Sequence, residues 1–238
     1  MQCPIQANLA ELHGRLAGVS RGALATYIPE LANADPQWFG ICLVTLDGVA
    51  YSVGDTDAMF TMQSISKPFV YATALADRGQ QLLTSKVGVE PSGDAFNSIS
   101  LDPQTGAPLN PMINAGAIAT TSLVAGDTTE AQWRRIESSI AAFVGREVRV
   151  DESVYRSESE TGHRNRAIAW MLKNFGIIDG EPMATLENYF RQCSLLVSCR
   201  DLAYMAATLA NGGVHPLTGQ CALPSEHVER VLSVMATC

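Results

Sequence analysis

Pro68 constrains this chain more than any other single residue. Proline has no N–H and is tolerated only in the first turn of a helix, so the apolar-periodic segment that carries it cannot begin much before Ser64. The segment reads Gln63-Ser64-Ile65-Ser66-Lys67-Pro68, with Phe69, Ala72 and Leu75 following at helical spacing. Arg78-Gly79 closes it as a basic last turn with a glycine stop. Ser64 and Lys67 then share one helix face. A hydroxyl and an amine so placed are what a Ser/Lys nucleophilic site requires. The same turn also fits an ordinary helix start with a serine cap and an exposed lysine.

The flanking sequence sets the context. Ile5, Leu9, Leu12 and Leu16 predict an amphipathic first helix ending at Gly18. Phe39 to Val53 reads as a β-hairpin around an Asp47-Gly48 turn, so the candidate nucleophile follows a hairpin. Residues 87–117 are rich in Gly, Pro and Asn, a long irregular stretch of the kind that is often functional. Beyond it the pattern is helical. Asp127 with Glu130 suggests a capping box before the stripe Trp133, Ile136, Ile140 and Phe143, which Gly145 stops. Further helices are expected through Ile168 and Leu172, through Leu186 to Cys193, from a Ser198/Asp201 cap through Leu209, and from Ser225 onward.

Composition removes several function classes. With 47% hydrophobic residues, 17% charged residues and a net charge of −8, the chain has the profile of a packed globular protein. It carries no basic run for nucleic acid or an anionic membrane, and no apolar run of membrane-spanning length. The start, Met1-Gln2-Cys3-Pro4, does not read as a signal peptide. Six scattered cysteines without C-x-x-C spacing read as reduced cytoplasmic thiols, and the four dispersed histidines propose no metal centre and no cofactor site.

Four segments together resemble the serine-dependent glutaminases: Thr26-Tyr27-Ile28-Pro29-Glu30-Leu31, the Gln63-to-Pro68 turn, Asn110-Pro111-Met112-Ile113-Asn114-Ala115-Gly116-Ala117, and Ser157-Glu158 through His163-Arg164-Asn165. The resemblance extends through Tyr189-Phe190 and residues 205–213. It implies an α/β fold like that of the serine β-lactamases and DD-peptidases, a sheet flanked by helices beside a helical subdomain. The chain is then a single catalytic domain, with the hairpin and nucleophile helix in residues 1–80 and a mostly helical part in 81–238. The implied reaction is hydrolysis of L-glutamine to L-glutamate and ammonia, and the implied assembly a homo-oligomer, dimer or tetramer.

The residue types suit that chemistry. A carboxamide resists attack, so the serine must lose its proton as it attacks. Without a nearby histidine, Lys67 is the candidate base, provided that burial and a helix N-terminus hold its amine neutral. Phe60, Met62, Ile65 and Phe69 offer apolar surroundings, and the Ser64 N–H is a candidate oxyanion donor. By the resemblance, Glu158 meets the substrate ammonium, and Asn114, Asn165, Tyr27 and Tyr189 supply hydrogen bonds to the head group and amide. Gln63 lines the same pocket. Each has a plainer reading: Glu158 as a solvated acid, Asn114 as a helix cap, Asn165 as a surface residue, Tyr27 and Tyr189 as core aromatics.

The resemblance also implies chain beyond Cys238, with a Gly-Met-Tyr segment, a Lys-Ser-Gly-Val segment that completes the oxyanion hole, and further sheet strands. On that expectation the 238 residues are a C-terminally truncated domain. Two other functions stay open: a penicillin-recognising serine hydrolase sharing the Ser64/Lys67 pair, and a non-catalytic glutamine- or glutamate-binding relative.

Overall fold

The computed structural model describes residues 3–238. Pro4 opens α1 (Pro4–Leu16), where its missing N–H costs no helical hydrogen bond. The helix lies on a hairpin of β1 (Gly40–Val44) and β2 (Ala50–Gly54), paired antiparallel with Gly40 opposite Gly54 and Val44 opposite Ala50. Gln6 Nε2 donates to the Ser52 carbonyl at 2.9 Å, and the His13 ring stacks on Phe39. The predicted helix and hairpin are both present. None of the α1 residues is buried, however: Ile5 and Leu9 are half-buried, while Leu12 and Leu16 of the same stripe stay exposed.

A second ladder was not legible in the sequence. β3 (Phe60–Thr61) pairs antiparallel with β4 (Leu196–Val197), Phe60 opposite Val197. Strands of two residues cannot show an alternating pattern, so periodicity is blind to them. The described residues therefore contain two separate two-stranded pieces.

The nucleophile helix differs from expectation at both ends. Gln63–Ile65 form a single 3₁₀ turn, and α2 runs from Ser66 to Lys86. Gly79 does break the helix, at φ 76° and ψ 163°, but helical turns resume after it because buried Leu83 holds the continuation on the core. Residues 66–75 of α2 are all buried, which makes this segment the central post of the molecule.

Residues 87–113 are irregular, apart from a bridge between Leu101 and Pro108, and lead into α3 (Asn114–Leu123). α4 (Thr129–Val144) carries the expected stripe, with Trp133, Ile136, Ile140 and Phe143 all buried. Its cap is Thr128 and not Asp127: the Thr128 hydroxyl accepts from the Ala131 N–H at 3.1 Å. An N-cap oxygen must reach an N–H three residues on while its own backbone stays extended, and Thr128 meets both conditions. α5 (Glu152–Thr161) and α6 (His163–Asn174) follow, then α7 (Pro182–Cys193). α8 (Cys199–Ala210) has the reciprocal Ser198/Asp201 capping box that the sequence predicts, and α9 (Ser225–Thr237) buries Val228, Val231 and Val234.

One hydrophobic core runs from Met62 to Val234. Within it Phe69 and Phe143 meet edge-on at 5.0 Å, joining α2 to α4. Asp77 ties α2 to two neighbours, accepting from the Arg135 guanidinium at 2.8 Å and from the Ala125 N–H at 3.0 Å. Among the described residues no helix is long and apolar enough to cross a membrane.

Candidate active site

The site begins with backbone strain. Among the described residues other than glycine, only Gln63 has positive φ, at 47°. That conformation costs on the order of 1–3 kcal/mol and persists only where surroundings over-determine it. Here the Gln63 carbonyl accepts from Ser66 Oγ at 2.7 Å, its Nε2 donates to Thr61 Oγ1 at 3.3 Å, and its Oε1 accepts from Tyr27 OH at 3.3 Å. The resulting bend leaves Ser64 exposed while Ser66 and Lys67 are buried.

Lys67 is held by the segment before α3. Its Nζ donates to the Met112 carbonyl at 2.9 Å and to Asn114 Oδ1 at 2.7 Å, and it lies 5.5 Å from the centre of the Phe96 ring. Burial pushes the amine down to about 8. Met112 is placed by Asn110, whose Oδ1 accepts from the Met112 and Ile113 N–H groups. Gly116 lets this turn lie against α3: a Cβ there would fall 1.8 Å from the Asn110 carbonyl oxygen. The Asn-Pro-Met-Ile-Asn-Ala-Gly segment is therefore one device for bringing two acceptors to the Lys67 amine.

Asn114 continues the chain of contacts, its Nδ2 donating to Asn165 Oδ1 at 3.1 Å. Asn165 lies in the first turn of α6, and its oxygen is committed while its own amide N–H groups remain donors. Glu158, on α5, is 6% exposed, and its Oε2 has no hydrogen-bond partner. Burial pushes this carboxyl up to about 8, against the opposing influence of Lys67. Tyr189 and Cys193 lie one turn apart on α7, and burial raises both well above their ordinary values.

These groups converge. A single cleft of about 330 Å³ is lined by Tyr27, Gln63, Ser64, Asn114, Glu158, Asn165 and Tyr189, with Cys193 beside them. Every residue that the resemblance assigned to substrate borders this one space, and Lys67 reaches it through Asn114.

The chain matches the family model "Glutaminase" over residues 22–238. It is 49% identical over 235 residues to the glutaminase of Trichormus variabilis, covering 99% of this chain and 70% of that protein. The chain belongs to the glutaminase family.

Glutaminase 2 of Bradyrhizobium diazoefficiens is 49% identical over 98% of this chain, which spans only 37% of that relative. Among solved structures, Mglu in its native form superposes with a TM-score of 0.94 at 43% identity over the whole chain, which spans 58% of Mglu. The probable glutaminase ybaS gives 0.95 at 40% identity, over 98% of this chain and 76% of its own. The fold is accordingly the serine β-lactamase-like fold of the glutaminases.

Within this cleft several plainer readings give way. Glu158 is not a solvated acid, because α5 turns it inward beside Val154 while Glu152, Ser153, Arg156 and Glu160 are exposed. Asn114 does not cap α3: it is the first helical residue, and its side chain is spent on Lys67 and Asn165. Tyr27 is 62% exposed and no core aromatic, whereas Tyr189 is buried and lines the cleft as well. Ile65 does not shield Lys67; it is 42% exposed, and the Phe96 ring lies over the amine instead. Sequence reasoning missed Phe96, the Met112 carbonyl and Cys193. A main-chain acceptor leaves no side-chain signature, and an aromatic in an irregular segment has no periodicity to betray its direction. Cys193 sits one helical turn after Tyr189, and that spacing was the available signal.

Proposed function

We propose that this cleft hydrolyses L-glutamine to L-glutamate and ammonia through a γ-glutamyl ester on Ser64, with Lys67 as general base. The observation that carries this reading is the setting of the Lys67 amine. A neutral amine has two N–H bonds and one lone pair. The Met112 carbonyl and Asn114 Oδ1 accept both N–H bonds of that form, so the lone pair is left free to take a proton. An amine lowered to about 8 has a neutral fraction near pH 7 that an ordinary lysine lacks.

The steps balance. Ser64 Oγ attacks the side-chain carbonyl as its proton passes to Lys67 Nζ. The tetrahedral intermediate collapses with transfer of that proton to the leaving nitrogen, which departs as ammonia. Water then gives a proton to Lys67 while attacking the ester, and Ser64 regains a proton as L-glutamate is released. Glu158, with an unpartnered buried oxygen, suits the α-ammonium, and Asn165, Asn114, Tyr27 and Tyr189 suit the α-carboxylate and amide. Mglu has been solved in its glutamate form, which fits a cleft that accepts the product.

The same reading carries a cytoplasmic homo-oligomer, dimer or tetramer. All six cysteines are free thiols, which suits a reducing compartment, and sedimentation of the full-length protein tests the assembly.

The deciding measurement is ammonia release from L-glutamine and from L-asparagine by the full-length protein and by Ser64→Ala. Glutamine-selective release that Ser64→Ala abolishes while still binding L-glutamate is the expected result. Substantial turnover by Ser64→Ala would overturn the covalent mechanism. Binding of glutamine without release would favour a non-catalytic relative.

A further inference from the structure

Beneath the nucleophile turn lies a buried polar chain that the reaction steps above do not use. Ser66 and Gln192 are fully buried and Thr121 nearly so, one each on α2, α7 and α3. The Thr121 hydroxyl shares its one proton between the Ala117 carbonyl at 2.9 Å and Gln192 Oε1 at 3.1 Å, Gln192 Nε2 donates to Ser66 Oγ at 3.4 Å, and Ser66 Oγ donates to the Gln63 carbonyl at 2.7 Å. The Gln192 and Ser66 side-chain donors point one way, and the chain ends on the carbonyl of the one strained non-glycine residue among those described, which also accepts from the Ser66 backbone N–H.

That carbonyl belongs to the peptide unit that also contains the Ser64 N–H. A peptide unit is planar, so fixing the C=O direction fixes the N–H direction opposite it. Among the described residues no backbone carbonyl takes the Ser64 N–H. Successive hydrogen bonds polarise one another, and a carbonyl that accepts a strong bond makes its own N–H a better donor.

We propose that Ser66, backed by Gln192 and Thr121, is a positioning device that orients and polarises the Ser64 N–H as oxyanion donor. The proposal rests on the reading of Ser64 as nucleophile. Ser66 touches neither substrate nor reacting atoms; it acts through the peptide between Gln63 and Ser64. A role confined to the transition state leaves three marks. It lowers kcat and leaves ground-state binding alone, it leaves the proton transfer of Lys67 alone, and it is restored by any side chain that returns the hydroxyl.

The test uses the full-length protein, with active sites counted by covalent labelling with a diazoketone analogue of glutamine. Wild type is measured first: failure both to turn over glutamine and to take the label would sink the nucleophile reading itself. For Ser66→Ala the expected result is a kcat per labelled site lower by about tenfold, short of the 10²–10³ that outright loss of an oxyanion donor costs. The inhibition constant of L-glutamate and the pH midpoint of kcat stay at wild-type values, and Ser66→Thr recovers most of the rate. An unchanged kcat per site in Ser66→Ala would overturn the proposal, as would L-glutamate affinity falling in step with kcat. If Ser66→Ala does not fold, Gln192→Met decides. It keeps the Ser66 hydroxyl but removes its backing, so kcat per site drops by about threefold with L-glutamate affinity unchanged, and no drop overturns the proposal.

Discussion

Asn114 Oδ1 accepts a 2.7 Å hydrogen bond from Lys67 Nζ, and through its Nδ2 the same side chain holds Asn165. One amide therefore links the candidate base to the residues bordering the substrate head group. It stabilises the amine without adding charge, leaving burial as the main influence on its protonation. Asn114→Asp would place a carboxylate where the amide oxygen now lies and favour the ammonium form. With Lys67 as base, wild-type kcat/KM should rise with pH through about 8, as the amine of the free site loses its proton. In Asn114→Asp that limb should move alkaline by about 1–3 pH units. A pH–rate profile of both proteins checks the prediction, and coincident limbs would contradict it.

Glu158 predicts a proton released on binding. Its carboxyl is raised to about 8 by burial, so in the free site it is largely protonated near neutral pH. An incoming α-ammonium favours the carboxylate, and the displaced proton goes to solvent. Calorimetry of L-glutamate binding at pH 7, in buffers of different ionisation enthalpy, should show up to one proton released. Glu158→Gln should release none and raise KM by about a hundredfold, the scale expected when one partner of a buried charge pair is removed.

Gly116→Ala should damage stability and rate together. Its Cβ would meet the Asn110 carbonyl oxygen at 1.8 Å and Pro111 Cα at 2.9 Å, both backbone atoms that cannot rotate away. Overpacking of this kind costs about 1–3 kcal/mol. For a chain of this size, that lowers Tm by roughly 2–12 °C. The displaced turn carries the Met112 carbonyl, so kcat per folded molecule should fall as well. Thermal melts alongside kinetics separate the two effects.

Asp77 offers the opposite outcome. Replacing it with Ala leaves the Ala125 N–H and the Arg135 guanidinium unpaired in a partly buried setting. The expected loss is about 2–3 kcal/mol of stability. The ion pair lies near the far end of the buried run of α2, so kcat per folded molecule should remain near wild type. Urea unfolding and steady-state kinetics on the same sample check both halves.

How much of this was legible in the sequence depended on whether a signal was local. Gly145 as a stop, Ser198 with Asp201 as a capping box and the Trp133-to-Phe143 stripe are written within one or two turns of chain, and they appear as read. Asp127 was mistaken for Thr128 because adjacent polar residues offer equivalent oxygens until φ and ψ choose between them. Glu158 shows the limit more sharply. Nothing in Ser157-Glu158-Ser159 says which side chain turns inward, because that depends on how α5 packs against α7. The resemblance named the residue; the burial and unpartnered oxygen that give it chemistry are tertiary facts. The Gln63 bend is similar, since a single residue at φ 47° is imposed by its hydrogen-bond partners and not by any preference of glutamine.

The cleft draws its walls from Tyr27, near one end of the described chain, through to Cys193, with contributions from α3, α5, α6 and α7 between them. No short stretch holds more than a few of these groups, so the cleft exists only while the packed body around α2 is intact. Turnover is therefore a sensitive reporter of the cooperative unit as a whole: in a denaturant series, loss of ammonia release should superimpose on loss of helical signal. An activity that vanished earlier would mark α5 and α6, which carry Glu158 and Asn165, as the part of the molecule that opens first.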